Sequence, residues 1–393
     1  MSSSRFDVII VGAGPAGLHA AIAAAGHGAS VLVFERKTVI GVPVRCGEFF
    51  PCKEEMLDLL PGCMEFAHLF EIPSDAIRNA CDTLRIYSPI GKCWEFPFRA
   101  YVVDRVSLEQ RLFGEARRLG AQFRLGRAAR IFRKNGRMRV GPNEPESVEA
   151  KVVIAADGFP SIAASSGGLL DDRYALREKA AINYQYLMED LSIESHVTEM
   201  YMGTSIAPGG YGWIIPKSSN AANVGVGVRT VFTRDGKARA YLDYFVNRYP
   251  LTSGKLRSGT VRTIITDLLP IDGAVSKTYS NSLLSVGDSA GMVMPTNGGG
   301  IPTAMVSGHI AGEVAALHVQ RGKPLSDYEA GWQKAIGHEL TSSTRMRRFA
   351  DFFMRHDIAF DSAMRILHTG GIKKVVTCKV PGGLDLVMRL LGY

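Results

Sequence analysis

Gly12-Ala-Gly14-Pro-Ala16-Gly17 is a GxGxxG run, and Glu35 stands 23 residues after its first glycine. Each part has a task if the ligand is a dinucleotide. Gly12 permits a tight turn, Gly14 lets backbone approach a pyrophosphate, and Gly17 lets a helix lie close on a sheet. N–H groups at the start of that helix, around Ala16, would face the phosphates. Glu35 could accept hydrogen bonds from a ribose diol, with Arg36 beside it. The alternative is a glycine-rich turn without a ligand. Two acidic turns follow, Asp157-Gly158 and Gly287-Asp288. Pro295-Thr-Asn-Gly298-Gly299-Gly300-Ile301 offers backbone N–H groups to a phosphate or a ring edge, or is a bare turn. Cys46 lies within Val42-Pro-Val-Arg45-Cys46-Gly47-Glu48 and by residue type is a small buried hydrophobe or a working thiol. Arg45 and Glu48 could fix that loop through a pair or hydrogen bonds, or be paired at the surface. Tyr211 and Trp213, two residues apart in Pro208-Gly-Gly-Tyr211-Gly-Trp213-Ile-Ile-Pro216, should share one side of a strand, as a cavity wall or as core.

Holding these residues in place requires particular elements. Residues 6–11 and 30–34 read as short buried strands around a helix over 15–27, a βαβ start. Residues 152–156 and 283–286 read as further buried strands, the second running into Gly287-Asp288 and a long helical stretch. The alternation in 83–87 and 222–228 suits half-buried strands, and 130–149 a hairpin with a surface loop. From about residue 331, Leu340, Met346, Phe349, Phe352 and Phe353 recur at near-helical spacing.

The chain has 393 residues, 46% hydrophobic and 21% charged, with a formal net charge of +8. That apolar content excludes a disordered chain, and the length with only six cysteines excludes a small disulfide scaffold. No run of apolar residues is long enough to span a bilayer. The apolar start, with Arg5 its only early cation and glycines interrupting it, does not read as a secretion signal. A cytoplasmic protein with reduced thiols is expected. There is no Cys/His cluster suited to a metal and no nucleic-acid motif.

Asp157-Gly158 and Gly287-Asp288, each closing a buried strand, resemble the marker sequences of the aromatic-hydroxylase-like FAD family, with its glutathione-reductase-type nucleotide fold. Val103-Asp104-Arg105, followed by Leu108 and Leu112, resembles that family's arginine-bearing helix start. The resemblance implies FAD, with Asp288 on the ribityl chain, Asp157 and Gly158 near the nucleotide, and Arg105 on the flavin side. Only one GxGxxG follows a strand, so no separate NADPH domain is expected.

The runs around Cys46, Tyr211 and Gly299 together resemble the geranylgeranyl reductases, above all archaeal enzymes that saturate prenyl chains of membrane lipids. The family's PxxYxWxFP is met except that Ile215 stands for Phe. The likeness covers roughly residues 5–330. It implies an α/β fold, α+β overall: a discontinuous FAD-binding Rossmann domain (1–80, 100–180 and 265–330), an inserted antiparallel sheet for substrate (81–99 and 181–264), and a helical C-terminal region (331–393). It also implies cofactor contacts at Gly12, Gly14, Ala16, Gly17, Glu35, Arg36, Arg45, Cys46, Gly47, Arg105, Asp157, Gly158, Gly287, Asp288, Gly299, Gly300 and Ile301, and catalytic places for Cys46, Tyr211 and Trp213.

An isolated trialkyl alkene is not electrophilic, so hydride alone cannot add to it. Either a proton comes first, giving tertiary cation character, or both add together. Water must be kept out and the cation stabilised, a task aromatic faces perform. A thiol with a pKa of about 8.5 is a poor acid for this step; the resemblance places Cys46 beside the flavin ring and so implies a part in catalysis, as a member of a proton route, with an ordered water or the flavin open as the acid. The expected partners are a prenyl lipid or prenyl diphosphate and an external electron donor, a ferredoxin or NAD(P)H-linked reductase. Arg345, Arg347, Arg348, Lys373 and Lys374, near Phe352, Phe353 and the terminal 384–391 run, suit peripheral contact with the inner face of a membrane, or a solvated helical face. An FAD-dependent aromatic monooxygenase and a flavin-dependent halogenase share many of these markers. An electron-transfer flavoprotein is expected to carry a cysteine-held cluster, for which no four-cysteine run exists.

Overall fold

The computed structural model describes residues 5–170, 180–233 and 238–391. The apolar runs become strands of two sheets. In chain order they are β1 (Arg5–Val11), β2 (Val31–Phe34), β3 (Phe49–Pro51), β4 (Ile77–Tyr87), β5 (Cys93–Val103), β6 (Gln122–Arg124), β7 (Arg130–Lys134), β8 (Arg137–Gly141), β9 (Val148–Ala155), β10 (Ala180–Glu189), β11 (Val197–Met202), β12 (Tyr211–Pro216), β13 (Ala222–Arg229), β14 (Thr260–Pro270) and β15 (Leu283–Ser285). The helices are α1 (Pro15–Gly26), α2 (Lys53–Leu59), α3 (Arg105–Arg118), α4 (Ile162–Ser166), α5 (Ala238–Asn247), α6 (Ser253–Leu256), α7 (Ile301–Arg321), α8 (Ser326–Trp332), α9 (His338–Phe353), α10 (Asp357–Val376) and α11 (Leu384–Leu390).

The first sheet runs β6-β2-β1-β9-β8-β7, with β15 also on β9. Strands β6, β2, β1, β9 and β15 are parallel, while β7 and β8 form the expected antiparallel hairpin beside β9. Val8, Ile9 and Ile10 are all fully buried, because helices cover one face of this sheet and the hairpin layer the other. α1 and α7 lie against each other so closely that a Cβ at Gly308 or Gly312 would overlap the carbonyl oxygens of Ala16 and Ala20. The long helix does not follow Gly287-Asp288 directly. A short 3₁₀ turn and the glycine loop intervene, and α7 starts at Ile301.

The second sheet runs β14-β10-β13-β12-β11-β4-β5-β3. It was expected to be antiparallel, but β11 and β4 are parallel. They come from chain segments that enter the sheet separately, so no hairpin dictates their direction. Alternation on β12 sends Gly212 and Ile214 towards Phe245 of α5, and Tyr211, Trp213 and Ile215 to the opposite face. Over that opposite face lies α10, packing Met364 and Ile372 against Phe96, Phe98 and Met200. α8 passes through a π-helical turn (Gln333–Gly337) into α9, and α10 kinks at His368. Among the described residues, no helix is long and apolar enough to cross a membrane.

Candidate active site

Between the carboxyl ends of the first sheet and the second sheet lies a cleft of about 330 Å³. It is lined by Gly12, Gly14, Ala16, Glu35, Arg36, Arg45, Cys46, Gly47, Arg105, Asp157, Gly158, Asp288, Gly300 and Ile301. Gly12 has φ +102°, and a Cβ there would overlap the carbonyl of Ala156. A Cβ on Gly17 would overlap the carbonyl of Gly12, whereas Gly14 has nothing within 4 Å and opens into the cleft. Glu35 accepts from the N–H groups of Ala13 (2.6 Å) and Lys37 (2.8 Å), which fixes its carboxylate while leaving lone pairs over. Gly17 and Gly287 stand behind the wall. A Cβ on Gly287 would press on Ala16 and Ala304, so it sets how closely α1 and α7 approach the turn.

Asp157 is largely engaged by the protein. Its carboxylate accepts from Ser161 Oγ (2.6 Å) and the N–H groups of Ile162 (2.8 Å) and Ala163 (3.0 Å), so it ties down the first turn of α4 alongside the N-cap Ser161. Asp288 is different, because its carboxylate accepts no hydrogen bond from the described residues. Burial pushes its pKa up to about 6, with Asp267 adding to the rise and Arg105 opposing it. Arg45 reaches Asp267 (3.9 Å), so it forms no pair with Glu48, and of the arrangements open for that loop it is hydrogen bonds that hold Glu48. Glu48 instead is held by Lys217 and by Asn223 Nδ2 (3.0 Å).

A second cavity, of about 730 Å³, lies between the second sheet and helices α9 and α10. Its walls are Phe49, Leu84, Ile86, Phe98, Met200, Tyr211, Trp213, Ile215, Phe349, Met364 and Leu367, with Gly299 in the loop beside them. The two cavities share Cys46, Gly47, Asn183, Leu269, Gly298, Gly300 and Ile301, so a group in the first can meet an apolar chain in the second at that junction. Tyr211 and Trp213 stand edge to face, 5.9 Å apart, on one wall. Burial, with Cys46 nearby, pushes the Tyr211 phenol up to about 12, and its hydroxyl donates to the carbonyl of Asn297. The Cys46 sulfur accepts from the N–H of Glu48 (3.1 Å). Burial lowers the Arg105 pKa, but Glu109 and Cys46 outweigh it and hold the guanidinium charged.

A model of the geranylgeranyl reductase catalytic domain matches residues 179–264, and one of FAD dependent oxidoreductases matches residues 7–41. Digeranylgeranylglycerophospholipid reductase 2 of Methanopyrus kandleri is 33% identical over 342 residues, 85% of this chain and 83% of its own. The corresponding reductase of Methanocaldococcus jannaschii is 33% identical over 357 residues, 88% of this chain and 87% of its own. This chain belongs to the geranylgeranyl reductase family. It is a flavin-dependent oxidoreductase, and its cofactor is FAD. Among solved structures, a geranylgeranyl bacteriochlorophyll reductase-like protein from Thermoplasma acidophilum superposes with a TM-score of 0.78 at 27% identity, covering 99% of this chain and 95% of that one. A flavin-dependent brominase shares the fold alone, at TM-score 0.70 and 16% identity over 99% and 98%.

The cleft of this reductase fits FAD on its own geometry: an open glycine at a helix N-terminus, a fixed acid after β2, and a desolvated carboxylate without a donor among the described residues. Sequence reading missed four residues of the site. Asn183 reaches the junction with an amide that makes no hydrogen bond among the described residues. Gln185 donates to the carbonyl of Cys46 (3.1 Å). Asn297 accepts from Gly299 N–H (2.8 Å) and donates to the carbonyl of Val376 (2.9 Å), tying the glycine loop to α10. Asp267 sits beside Asp288. The alternation of β10 could have flagged Asn183 and Gln185 as polar residues in an apolar strand; nothing local marks Asn297.

Proposed function

We propose that this protein saturates double bonds of geranylgeranyl chains in membrane-lipid synthesis, adding a hydride and a proton across each bond. The observation that supports this most is the junction at Cys46, Gly47 and Gly300, where an apolar cavity of about 730 Å³ meets the cofactor cleft. In this reading FAD is held mainly by segments 1–80, 100–180 and 265–330 and substrate mainly by 81–99 and 181–264, with Phe49 and Leu269 crossing those bounds to line the apolar cavity and α9 and α10 closing it.

The cleft residues hold the cofactor as their chemistry allows. Amides around Gly14–Gly17 take the pyrophosphate, Glu35 a ribose, Asp288 the ribityl hydroxyls, and Arg105 and the Gly300 amide the flavin side, since the N–H groups of Gly298 and Gly299 are already given to Met294 and Asn297. FAD, when bound and reduced, supplies the hydride. The rings of Tyr211 and Trp213 face the developing tertiary cation, worth roughly 1–2 kcal/mol each in a dry site. With its phenol neutral and its hydroxyl spent on Asn297, Tyr211 contributes its ring and not a proton. Cys46, at the junction, takes part in passing the proton. Apolar walls exclude water from that exchange. Electrons come from an external donor, a ferredoxin or an NAD(P)H-linked reductase.

The test is anaerobic. The yellow protein is reduced with dithionite, mixed with geranylgeranyl lipids or diphosphate, and the products are weighed by mass spectrometry. Two hydrogens gained per double bond, with reoxidised flavin, are expected. Reoxidation only after air is admitted would transfer the reading to an oxygen-using flavoenzyme.

A further inference from the structure

Asp267 is a carboxyl in the cofactor cleft with no task in the reading above. It lies on β14 directly across from Asn183 of β10, and Asn183 lies across from Gly227 of β13. Gly227 in turn pairs with Tyr211 of β12. Partners in register share a face, so Asp267, Asn183, Gly227 and Tyr211 make one row across the second sheet. Two places along, Leu269 and Ala181 belong to the next row of that face and line the apolar cavity. The first row runs from one cavity to the other: Asp267 lines the cofactor cleft, Tyr211 the apolar cavity, and Asn183 both. The missing side chain at Gly227 leaves room for the amide, since a Cβ there would stand 2.9 Å from Asn183 Oδ1.

Asn183 therefore brings one acceptor and two N–H donors to the junction, and no described residue uses them. An amide left free beside apolar walls calls for a partner from outside the chain. Side chains directly across a strand pair stand about 4.5–5.5 Å apart at Cβ, so one water can touch both Asn183 and Asp267. Four charged groups face Asp267. Arg45 stands 3.9 Å away in the loop before β3, Arg36 follows β2, Arg105 opens α3, and Asp288 follows β15. Burial raises the Asp267 pKa, while the N–H of Leu268 and the three arginines oppose the rise. The side chain keeps 30% exposure, so solvent can return a proton to it.

We propose that Asp267 is the source of the proton added to the alkene, delivered through a water that Asn183 holds at the junction. This inference rests on the prenyl reading and deepens it by naming the acid behind the proton that Cys46 takes part in passing. An ordinary carboxylic acid is stronger than a thiol by about four to five pKa units, and this one lies within one water of the reacting space. The Asp267 O–H bond breaks, the water hands a proton on, and one alkene carbon gains a C–H bond. The other carbon takes the hydride. Arg45, Arg36 and Arg105 steady the carboxylate left behind, which eases release of the proton. Solvent at the exposed side of the cleft then restores the acid.

The test is anaerobic saturation of geranylgeranyl diphosphate by the FAD-loaded full chain, with dithionite as reductant. Asp267→Asn keeps the shape of the side chain and should lose about a hundredfold in kcat, the low end of what general acids contribute. Its KM, flavin content and rate of flavin reduction should stay those of the parent. The parent kcat should fall as pH rises through the Asp267 pKa, because the protonated form is the working one, and Asp267→Asn should lose that dependence. Formate, small enough to enter the cleft, should return part of the lost kcat to Asp267→Ala. It should return none to Asn183→Leu, where the acid is present and the place for the water is gone. A parent that turns over while Asp267→Asn matches its kcat and pH profile overturns the proposal. So does a loss in Asp267→Ala that formate leaves untouched, which would make Asp267 a structural partner of Arg45. A parent that saturates nothing overturns the prenyl reading itself and takes this inference with it.

Discussion

Asp288 is the residue where structure and cofactor make opposite demands. Its carboxylate is desolvated and has no donor among the described residues, and burial raises its pKa to about 6 from an ordinary 3.8. A folded pKa above the unfolded one means the native state keeps a proton that the unfolded chain releases. The stability of the cofactor-free protein therefore falls as pH rises from about 4 to about 6 and stays lower above that. Asp288→Asn removes the term. Cofactor-free Asp288→Asn should be more stable than its parent at pH 7 by an amount on the order of 3 kcal/mol, and the gap should close towards about pH 4. The same variant should bind FAD more weakly. Full flavin occupancy would deny the carboxylate its ribityl role. Tyr211 poses a second residue-scale question, ring or hydroxyl. Tyr211→Phe keeps the ring and loses the donor to Asn297, so it should keep most of its turnover. Tyr211→Leu loses the ring and should be slower by about five- to thirtyfold in kcat, the equivalent of roughly 1–2 kcal/mol of cation stabilisation. Equal losses in both would give the work to the hydroxyl and its loop.

At the scale of elements, β12 and β13 are spaced by a missing side chain. Gly225 lies directly across from Trp213, and a Cβ there would overlap the indole and crowd the carbonyl of Tyr184. Gly225→Ala should push Trp213 into the prenyl cavity, costing about 1–3 kcal/mol in stability and raising KM for long chains, with FAD content unchanged. Calorimetry and kinetics on chains of two lengths would check it. How much of this was legible in sequence depended on whether the information was local. The nucleotide end was readable because β1, the glycine turn, α1, β2 and Glu35 are contiguous. The shared wall of Tyr211 and Trp213 followed from a period of two. What escaped depends on distant partners: Gly308 and Gly312 against the backbone of α1, the parallel β11–β4 pair, and Asn297 between Gly299 and Val376. The Arg45–Glu48 pairing failed for the same reason, since neighbours in sequence were drawn to Asp267, Lys217 and Asn223 from other strands.

On the scale of the whole molecule, the second sheet and the C-terminal helices must stay joined around an empty-walled apolar space, and a buried ionic network helps to join them. Arg229 at the end of β13 pairs with Asp351 of α9, which also meets Arg347 (3.1 Å), and Arg347 reaches Asp272 beyond β14 (3.0 Å). Arg229 and Arg347 are both buried, both border the cavity, and the Nε of each has no hydrogen-bond partner among the described residues. Burial pulls the Arg229 pKa down and Asp351 restores it in part, so this guanidinium depends on that carboxylate. Apolar residues in place of the whole network could be as stable, but removal of one charge leaves another buried without compensation. Asp351→Asn should therefore cost about 3 kcal/mol. Asp385→Asn, which loosens the half-exposed Arg345 pair, should cost less than about 1 kcal/mol. Denaturant titration of the two holoproteins would separate them. Because the lost link lies on the cavity wall and not in the FAD cleft, Asp351→Asn should also raise KM for prenyl substrate while the flavin spectrum stays that of the parent. A loss of flavin instead would mean that α9 supports the cofactor cleft, and that the two cavities are held by one framework rather than two.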